Sequence, residues 1–284
     1  MTCRSQREKE VGRAKAVPVL LYHHVNPHRG DLVTLTPNEF EAQLRYLQKR
    51  RFRTLFLDEL VPFLKGEAIL PDRTVALTFD DGYLDNWVYA FPLLVRYEIK
   101  ATLFAVTSWV EEGAARPLAG ALGNQALPEI PTHREAKARF GQRGRGGDSV
   151  NWSELKEMVK SGFVDVQSHT HTHRPISPEG LSIPEIELEL RQSRDLIRER
   201  LEVDCRFLSW PWGEFTAEAV AAAKAVGFQA LLTTRRGSSR PGTDLYGIPR
   251  IPVKRSDVGW LGSRISIYSH PLVGDFYDLL RGKQ

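Results

Sequence analysis

The chain contains 284 residues, of which 42% are hydrophobic, and it carries a formal net charge of +4 with an isoelectric point of about 9.1. This length suits one large domain, and the absence of any run of about 18 apolar residues excludes a transmembrane helix. Several basic residues gather in one Gly-rich stretch without a nucleic-acid-binding motif, so no nucleic-acid partner is predicted: Arg134, Lys137, Arg139, Arg143 and Arg145.

Strand and helix signals alternate along the chain without a linker or an internal repeat. Apolar and β-branched runs predict seven strands, near 17–22, 74–79, 101–106, 163–168, 206–210, 228–233 and 247–252. Amphipathic segments predict six helices, near 37–50, 57–64, 85–97, 152–160, 184–201 and 217–226. Alternation of this kind is typical of parallel strands covered by helices. The sequence therefore predicts a single-domain α/β protein, a distorted (β/α) barrel of about seven parallel strands with a long insertion loop.

The N-terminal segment divides into a charged tail, 1–16, and the start of the domain at residue 17, which would extend to 284. The tail lacks the apolar region of a secretory signal, so the sequence as written predicts a cytoplasmic protein; a misassigned start would allow a periplasmic or extracellular location. Cys3 in the tail and Cys205 before a strand do not predict a structural disulfide. The first predicted strand delivers His23 and His24, whose side chains should point to opposite faces.

Two adjacent carboxylates, Asp80 and Asp81, follow the apolar strand predicted at 74–79 and precede Gly82. Catalytic groups collect where the buried strands of α/β proteins end in loops. Successive side chains diverge on an extended backbone, so two neighbouring aspartates can address different ligands. A surface Asp-Asp-Gly turn is the alternative interpretation. The carboxylate pair is thus a candidate for a base beside a metal ligand.

The stretch 111–149 is rich in Gly, Ala, Pro and Arg and has no clear periodicity. We interpret it as a long insertion loop in the domain. A structureless loop of this length is either functional or disordered. It would cover the mouth of the active site, or form a variable insertion without direct contact.

Three histidines, His169, His171 and His173, lie within five residues after the strand predicted at 163–168. Imidazole is the commonest neutral metal ligand. If the segment is helical, the two outer histidines are four residues apart and share a face. If it is extended, all three share a face, and His171 competes as a ligand.

The Asp-Asp-Gly and His-Thr-x-x-His elements resemble the first two motifs of the polysaccharide deacetylase (NodB-homology) family. The resemblance implies that Asp80 is the catalytic base and that Asp81, His169 and His173 bind a divalent metal. His171 falls on a variable position of the motif. The expected cofactor is Zn²⁺, although Co²⁺ or Ni²⁺ accept the same ligand set.

The segment from Arg206 to Gly213 ends in a Pro-aromatic-Gly turn that resembles the third motif of the family. Many members carry, two residues before this proline, an arginine that orients the catalytic aspartate, and Ser209 occupies that position here. Pro211 and Trp212 belong to the turn, and the resemblance implies that the backbone N–H of Trp212 lines the oxyanion site. The same pattern without arginine occurs in the branch of poly-β-1,6-N-acetylglucosamine deacetylases.

In that branch a histidine of an N-terminal Tyr-His-x-Val segment acts as the acid, which implies His23. The alternative acid is His270 near the C-terminus, which lacks the expected Leu-x-His context. A histidine pKa near neutrality would suit an acid that works as imidazolium. Aromatic side chains near the expected mouth either stack on sugar rings or belong to the core: Tyr83, Trp87 and Trp212.

The resemblance implies metal-dependent removal of an N-acetyl or other N-acyl group from an amino sugar in a polysaccharide or oligosaccharide. Two other functions stay open. A metal-dependent amidohydrolase of another barrel family would use His169 and His171 as a ligand pair. A catalytically silent carbohydrate-binding homologue would fit the loss of arginine at Ser209. The sequence indicates no oligomeric state.

Overall fold

The computed structural model describes residues 12–28, 30–120, 126–140, 147–176 and 180–282. In this part of the chain ten strands occur: β1 Val19–Tyr22, β2 His24–Val25, β3 Thr34–Leu35, β4 Arg53–Leu55, β5 Thr74–Phe79, β6 Ala101–Ala105, β7 Val164–Ser168, β8 Phe207–Ser209, β9 Ala230–Leu232 and β10 Ile251–Pro252. The described helices are α1 Pro37–Lys49, α2 Leu57–Leu64, α3 Phe91–Tyr97, α4 His133–Phe140, α5 Trp152–Lys160, α6 Ile183–Leu201, α7 Ala217–Val226, α8 Val258–Tyr268 and α9 Pro271–Leu280.

The main sheet is parallel and follows the order β10-β1-β5-β6-β7-β8-β9, while β4 pairs with the first half of β5. A parallel bridge between Leu232 and Ile248 brings the two ends of this path together. The sheet thus curls into a distorted (β/α) barrel, as predicted. The seven predicted strands are the seven strands of this path, and all carboxyl ends lie at one rim because the strands are parallel.

Alternating residues along the strands bury their side chains on opposite faces of the sheet. One apolar cluster includes Leu20, Leu77 and Leu103 and packs against the outer helices. The other includes Ala76 and Phe104 and is completed by α2. Both faces are therefore apolar, which is why the strands appear in the sequence as continuous hydrophobic runs.

Cap residues explain where several helices begin and end. Thr36 accepts a hydrogen bond from the Glu39 N–H, and the Glu39 carboxylate accepts one from the Thr36 N–H, as the predicted capping box requires. Ser182 and Glu185 form the predicted box before α6. Gly227 ends α7 with a φ of 107°, a conformation that favours glycine.

Six elements of the described residues escaped the sequence prediction, among them the two-residue strands β2 and β3. Strand β4 is only three residues long, and α4 lies in the stretch that we expected to be a loop. Helices α8 and α9 were also missed, because their sequences lack a clear polar face. In α9 the apolar residues Leu272 and Leu279 are exposed, so hydrophobic residues there do not mark buried positions. The predicted helix at 85–97 begins with a π-helical turn, Asn86–Ala90, before α3.

The structure differs from the expected character of two segments. The expected tail 1–16 reaches into the domain, because the Ala14 N–H donates to the Leu70 carbonyl and Ala16 is buried. The expected insertion loop 111–149 contains α4. Residues 1–11 with Cys3, and residues 121–125 and 141–146 with Arg143 and Arg145, lie outside the described residues. Cys205 is buried and forms no disulfide.

Among the described residues, no helix combines the length and the apolar character that crossing a membrane requires.

Candidate active site

Asp80 and Asp81 lie at the carboxyl end of β5, where the chain leaves the sheet. Asp81 has a φ of 76° and Gly82 a φ of 77°, so the backbone turns sharply directly after Asp80. This left-handed conformation costs little for glycine and is tolerated by aspartate. Both carboxylates are buried, and the turn directs them to different partners.

Asp81, His169 and His173 form the carboxylate and histidine cluster that the first two motifs predict. The Nε2 atoms of both histidines lie 3.2 Å from Oδ1 of Asp81. One ligand atom from each residue lies within 4.8 Å of the others, a spacing that suits one metal ion. Burial alone would raise the pKa of Asp81, but hydrogen bonds from His169 and His173 hold it well below its usual range.

A second contact fixes the orientation of His169. Its Nδ1 lies 2.8 Å from the backbone carbonyl oxygen of Ser209, to which it donates a hydrogen bond. With the Nδ1 proton engaged by Ser209, Nε2 is turned towards Asp81 and can act as a metal ligand once its own proton is released. The residues present thus fit a divalent cation.

The histidine segment is neither helical nor extended, so both conformations considered from the sequence are wrong. Thr170 has a φ of 65° and His173 a φ of 59°, which produces a compact turn. The buried Glu189 carboxylate of α6 stabilises this turn by accepting hydrogen bonds from the N–H groups of His171 and Thr172. The turn brings His169 and His173 together.

His171 points elsewhere. Its Nδ1 lies 2.9 Å from the hydroxyl of Thr107, and it is absent from the metal-ligand cluster of the described residues. The turn therefore separates His171 from the two histidines on either side of it.

Asp80 is held by Arg250, a residue that the sequence analysis missed. The guanidinium of Arg250 donates two hydrogen bonds of 2.7 Å, one to each carboxylate oxygen of Asp80. Ser209 also donates to Asp80, at 3.1 Å, and accepts from Arg250 at 2.8 Å. Burial would raise the pKa of Asp80, but the charge of Arg250 lowers it. The expected loss of the aspartate-orienting contact at Ser209 is thus compensated from β10.

Arg250 precedes β10 and is completely buried. In the sequence, Arg250 is recognisable as a charged residue inside the strand predicted at 247–252, directly before the apolar residues Ile251 and Pro252. An arginine there must have a buried acidic partner, because an unpaired buried charge is very costly. Which acid it meets depends on β10 lying beside β1, which in turn pairs with β5.

The two histidines considered as acid lie in different places. His23, at the end of β1, lines the same cavity as Asp80 and Asp81. His270 precedes α9 and is exposed, and its Nδ1 donates a hydrogen bond to the carbonyl oxygen of Ser266 on α8. It lines a separate cavity with Tyr46 and Gly262. The structure therefore contradicts His270 as an alternative acid.

The pKa of His23 departs from the expectation. Burial lowers it, although the charges of Asp81 and Asp80 oppose this effect. The neutral imidazole is therefore favoured near neutral pH, whereas the sequence analysis expected the imidazolium form. His24, as predicted, is not part of the same surface: it is buried beside Asp85.

The Pro-aromatic-Gly turn follows β8 and brings Pro211 and Trp212 to the site. Trp212 has a φ of 60° and lines the cavity with its side chain half exposed. Its ring lies 5.1 Å from that of His173. A Cβ on Gly213 would meet the Thr234 hydroxyl at 2.1 Å, so only glycine fits there. Trp210 is fully buried and stacks on Phe215, as expected for a core residue.

A cavity of about 690 Å³ opens over these residues. Its floor contains Asp80, Asp81 and His169, and its rim includes Trp212. Tyr83 borders it but is 5% exposed and stacks on His24, and Trp87 is buried in the core. Of the three aromatic residues considered for sugar stacking, only Trp212 offers an exposed ring.

The insertion covers this cavity with α4, whose residues His133 and Lys137 line it. The Lys137 ammonium lies 4.8 Å from the centre of the Trp212 ring. Nδ1 of His133 is 2.9 Å from Nε2 of His24, whose Nδ1 lies 2.6 Å from the Asp85 carboxylate. Of the two roles considered for the insertion, the cover over the mouth agrees with this placement.

Comparison with known proteins settles the family. The model of the polysaccharide deacetylase family matches residues 68–231, more than half of the chain. The chain belongs to the polysaccharide deacetylase family. It is 25% identical over 252 residues to the putative polysaccharide deacetylase YxkH of Bacillus subtilis, covering 89% of this chain and 75% of that protein.

Some proteins similar to this chain have names that state a substrate. The chain is 24% identical over 226 residues to a poly-β-1,6-N-acetyl-D-glucosamine N-deacetylase of Staphylococcus aureus, covering 77% of this chain and 67% of that one. Among solved structures, IcaB from Ammonifex degensii superposes with a TM-score of 0.70 at 23% identity, over 90% of this chain and 98% of that one. The likeness to IcaB shows the shared fold.

Proposed function

We propose that this deacetylase family member is a metal-dependent hydrolase that removes an N-acetyl group, or another N-acyl group, from an amino sugar in a polysaccharide or oligosaccharide. The observation that carries the proposal is the division of labour between adjacent carboxylates. Asp81 faces His169 and His173, while Asp80 faces Arg250. This division supports Asp81 as the residue that binds a cation and Asp80 as the residue that moves a proton.

The donor set consists of one carboxylate oxygen and two imidazole nitrogens. Zn²⁺ suits these ligands best, and Co²⁺ or Ni²⁺ are compatible with them. When bound, the cation would supply Lewis acidity that activates water and polarises the amide carbonyl.

Asp80 is the proposed base. Its lowered pKa keeps it ionised, and the two hydrogen bonds from Arg250 fix its position while it accepts a proton from the attacking water. The backbone N–H of Trp212 is the proposed donor to the carbonyl oxygen, where negative charge develops. Pro211 sets the turn that carries this N–H.

His23 is the proposed acid that gives a proton to the departing amine. Its pKa is lowered by burial, so the ring needs nearby negative charge to become imidazolium. Charge that develops on the carbonyl oxygen during the attack would supply this. The proton transfer would then be confined to the stage of the reaction at which the amine leaves.

Acetate release from N-acetylglucosamine oligomers tests the proposal in the metal-loaded protein. We expect Asp80→Asn to lower kcat by about 10³-fold, because a positioned base is lost, without loss of bound metal. His169→Ala should lose both metal and activity. Asp195→Asn, on the exposed side of α6, is the matched control for the aspartate change. Full activity of Asp80→Asn would refute the assignment.

The amidohydrolase alternative is separated by a matched pair of histidine variants. Our proposal requires His173→Ala to lose the metal and His171→Ala to retain it, because only His173 faces Asp81. The reverse result would favour the amidohydrolase. Bound metal without turnover on any N-acyl sugar would favour the silent carbohydrate-binding homologue.

A further inference from the structure

A smaller cavity of about 200 Å³ lies beside the active-site cavity. The two cavities share three lining residues, Arg236, Pro252 and Lys254. The shared wall comes from β10 and the loops before and after it. The far wall comes from α8 and α9. The smaller cavity is therefore a direct neighbour of the cavity over Asp80 and Asp81.

The lining of the smaller cavity is cationic. Five of its ten residues carry positive charge, and none is acidic: Arg236, Lys254, Arg255, Arg264 and Arg281. Within the described ranges none of the five forms an ion pair with a carboxylate. Asp278 lies nearby in α9, but it accepts a hydrogen bond of 2.6 Å from the Tyr268 hydroxyl and does not line the cavity. Lys254 and Arg255 also border Asp31, Glu39 and Asp257 in another cavity, but Arg236, Arg264 and Arg281 have no carboxylate partner among the described residues.

Aromatic rings hold two of the guanidinium groups in place. Arg264 lies 4.6 Å from the ring centre of Tyr277 and 5.4 Å from that of Trp260, and Arg281 lies 5.1 Å from Tyr277. Stacking fixes a guanidinium plane while its N–H groups stay available for hydrogen bonds. Nη1 of Arg264 is buried and has no hydrogen-bond acceptor among the described residues. A buried donor in this state requires an acceptor from outside the chain, which an ordered water or an anionic ligand can supply.

We propose that the smaller cavity is a subsite for an anionic group, a carboxylate or a phosphate, that the saccharide substrate carries close to its N-acylated sugar. The inference rests on the proposed function, because the shared wall ties this subsite to the deacetylase site. Arg264 and Arg281 bind the anion, and Arg236 and Lys254 attract it at the junction.

This subsite defines the substrate class as an acidic or phosphorylated polysaccharide. A neutral N-acetylglucosamine polymer would leave the cationic residues unpaired. Its deacetylated product would carry ammonium groups, which Lys137, Arg236 and Lys254 at the rim of the larger cavity would repel. An acidic polymer pairs with the same residues before and after deacetylation.

Anion binding can be measured without catalysis. We expect calorimetric titration of the full chain with inorganic phosphate, and separately with glucuronate, to show an affinity that falls at least about tenfold in the double variant Arg264→Gln/Arg281→Gln, as lost charge-assisted hydrogen bonds predict. Arg53→Gln/Arg198→Gln removes the same charge at exposed pairs and is the control. The proposal would be overturned if Arg264→Gln/Arg281→Gln bound phosphate and glucuronate as tightly as the control Arg53→Gln/Arg198→Gln does.

Arg264 also packs on aromatic rings, so a second variant guards against misfolding. Lys254→Gln/Arg255→Gln changes two exposed lining residues and should weaken binding in the same direction, with an unchanged melting temperature. A folded Lys254→Gln/Arg255→Gln protein with wild-type affinity for both anions would count against the subsite.

Kinetics connect the subsite to the substrate. We expect kcat/KM for acetate release from uronate-bearing or phosphate-bearing N-acetylated oligosaccharides to exceed that for neutral ones, and this ratio to fall at least about tenfold in Arg264→Gln/Arg281→Gln. Whichever of the uronate-bearing and phosphate-bearing oligosaccharides has the higher kcat/KM identifies the anion. A wild-type preference for neutral oligomers would overturn the proposal. Anion binding that depends on Arg264 and Arg281, without acetate release from any series, would keep the subsite and refute the deacetylase function instead.

Discussion

Asp80 at the end of β5 and His133 at the start of α4 line the same cavity, but the protein holds them by different means. Asp80 is buried among side chains from neighbouring strands, and Arg250 contacts both of its oxygens. His133 reaches the cavity from an insertion attached to the sheet through polar contacts, such as that with His24. The carboxyl ends of the strands therefore hold Asp80 in a fixed position, whereas the insertion forms one wall of the cavity through contacts of its own.

The attachment of the insertion is concentrated at Arg116. Its guanidinium donates to both oxygens of the buried Glu154 carboxylate, each at 2.7 Å, and to the carbonyls of Gly147 and Ser149 at 2.6 Å. One side chain thus joins the two ends of the described insertion to α5. This difference predicts that damage at the strand ends impairs catalysis directly, whereas damage to the insertion impairs stability and substrate binding.

Among the variants that test this difference between the two regions, the largest effect is expected from Arg250→Ser. Loss of the buried partner of Asp80 should lower the free energy of unfolding by about 4 kcal/mol, which denaturant titration measures. The same loss should reduce kcat by about 100-fold. Because Arg250 lowers the pKa of Asp80, the acid limb of the kcat profile should move to higher pH.

Relocation of the arginine sharpens this test. Adding Ser209→Arg to Arg250→Ser should recover part of kcat, because Ser209 already contacts Asp80 at 3.1 Å and the space of Arg250 is vacated. This position corresponds to the arginine of the third motif. A folded double variant without recovery would show that an arginine from β8 cannot replace one that precedes β10.

An intermediate effect is expected from Arg116→Gln. The buried Glu154 carboxylate would lose its ion pair, so the free energy of unfolding should fall by about 3 kcal/mol. KM should rise more than kcat falls, because the wall moves and the strand ends do not. Arg139→Gln removes an exposed partner of Asp148 in the same insertion and should cost less than about 1 kcal/mol. A kcat loss in Arg116→Gln as large as that of Arg250→Ser would break the comparison.

The smallest expected effect lies at the junction of the two regions, in Asp85→Asn. Burial would lower the pKa of His24, but the Asp85 carboxylate outweighs it and the pKa is raised. The pair therefore stabilises the folded state below the ordinary histidine pKa and loses this contribution as pH rises through the raised value. The variant should be less stable than wild type by about 2 kcal/mol at the acidic end of this window.

Above the raised pKa of His24 the difference between Asp85→Asn and wild type should shrink. Urea titrations of both proteins at several pH values measure it. His24→Gln should give a similarly reduced pH dependence, since it removes the other member of the pair. A stability difference that is constant across pH would show that His24 is not protonated beside Asp85.

Local patterns in the sequence predicted the sheet and the cluster of candidate metal ligands. The seven strands of the sheet path are continuous apolar runs, and such runs are visible without tertiary information because both faces of each strand are buried. Asp81, His169 and His173 lie in two short motifs, so their residue types and spacing could be recognised locally. The structure brings these three side chains together, and the family assignment was confirmed.

The positions of α4 and β4 were not predictable in the same way. Helix α4 begins at His133 within a stretch without periodicity, and its contacts with His24 are between residues far apart in the chain. Short elements of this kind form because tertiary packing outweighs weak local preference. The same reason applies to the turn at His169–His173, whose left-handed residues depend on Glu189 of α6.

The sequence by itself determined that two adjacent carboxylates and two motif histidines follow the strands of an α/β barrel. Only the tertiary structure decided which cation holds Asp80 and which of His23 and His270 lines the cavity. Arg250 replaces the arginine absent at Ser209 because β1 lies between β10 and β5 in the sheet. His23 lines the site and His270 does not, because α8 carries the C-terminal segment away. Contacts between distant residues arise from strand order, and no local pattern encodes that order.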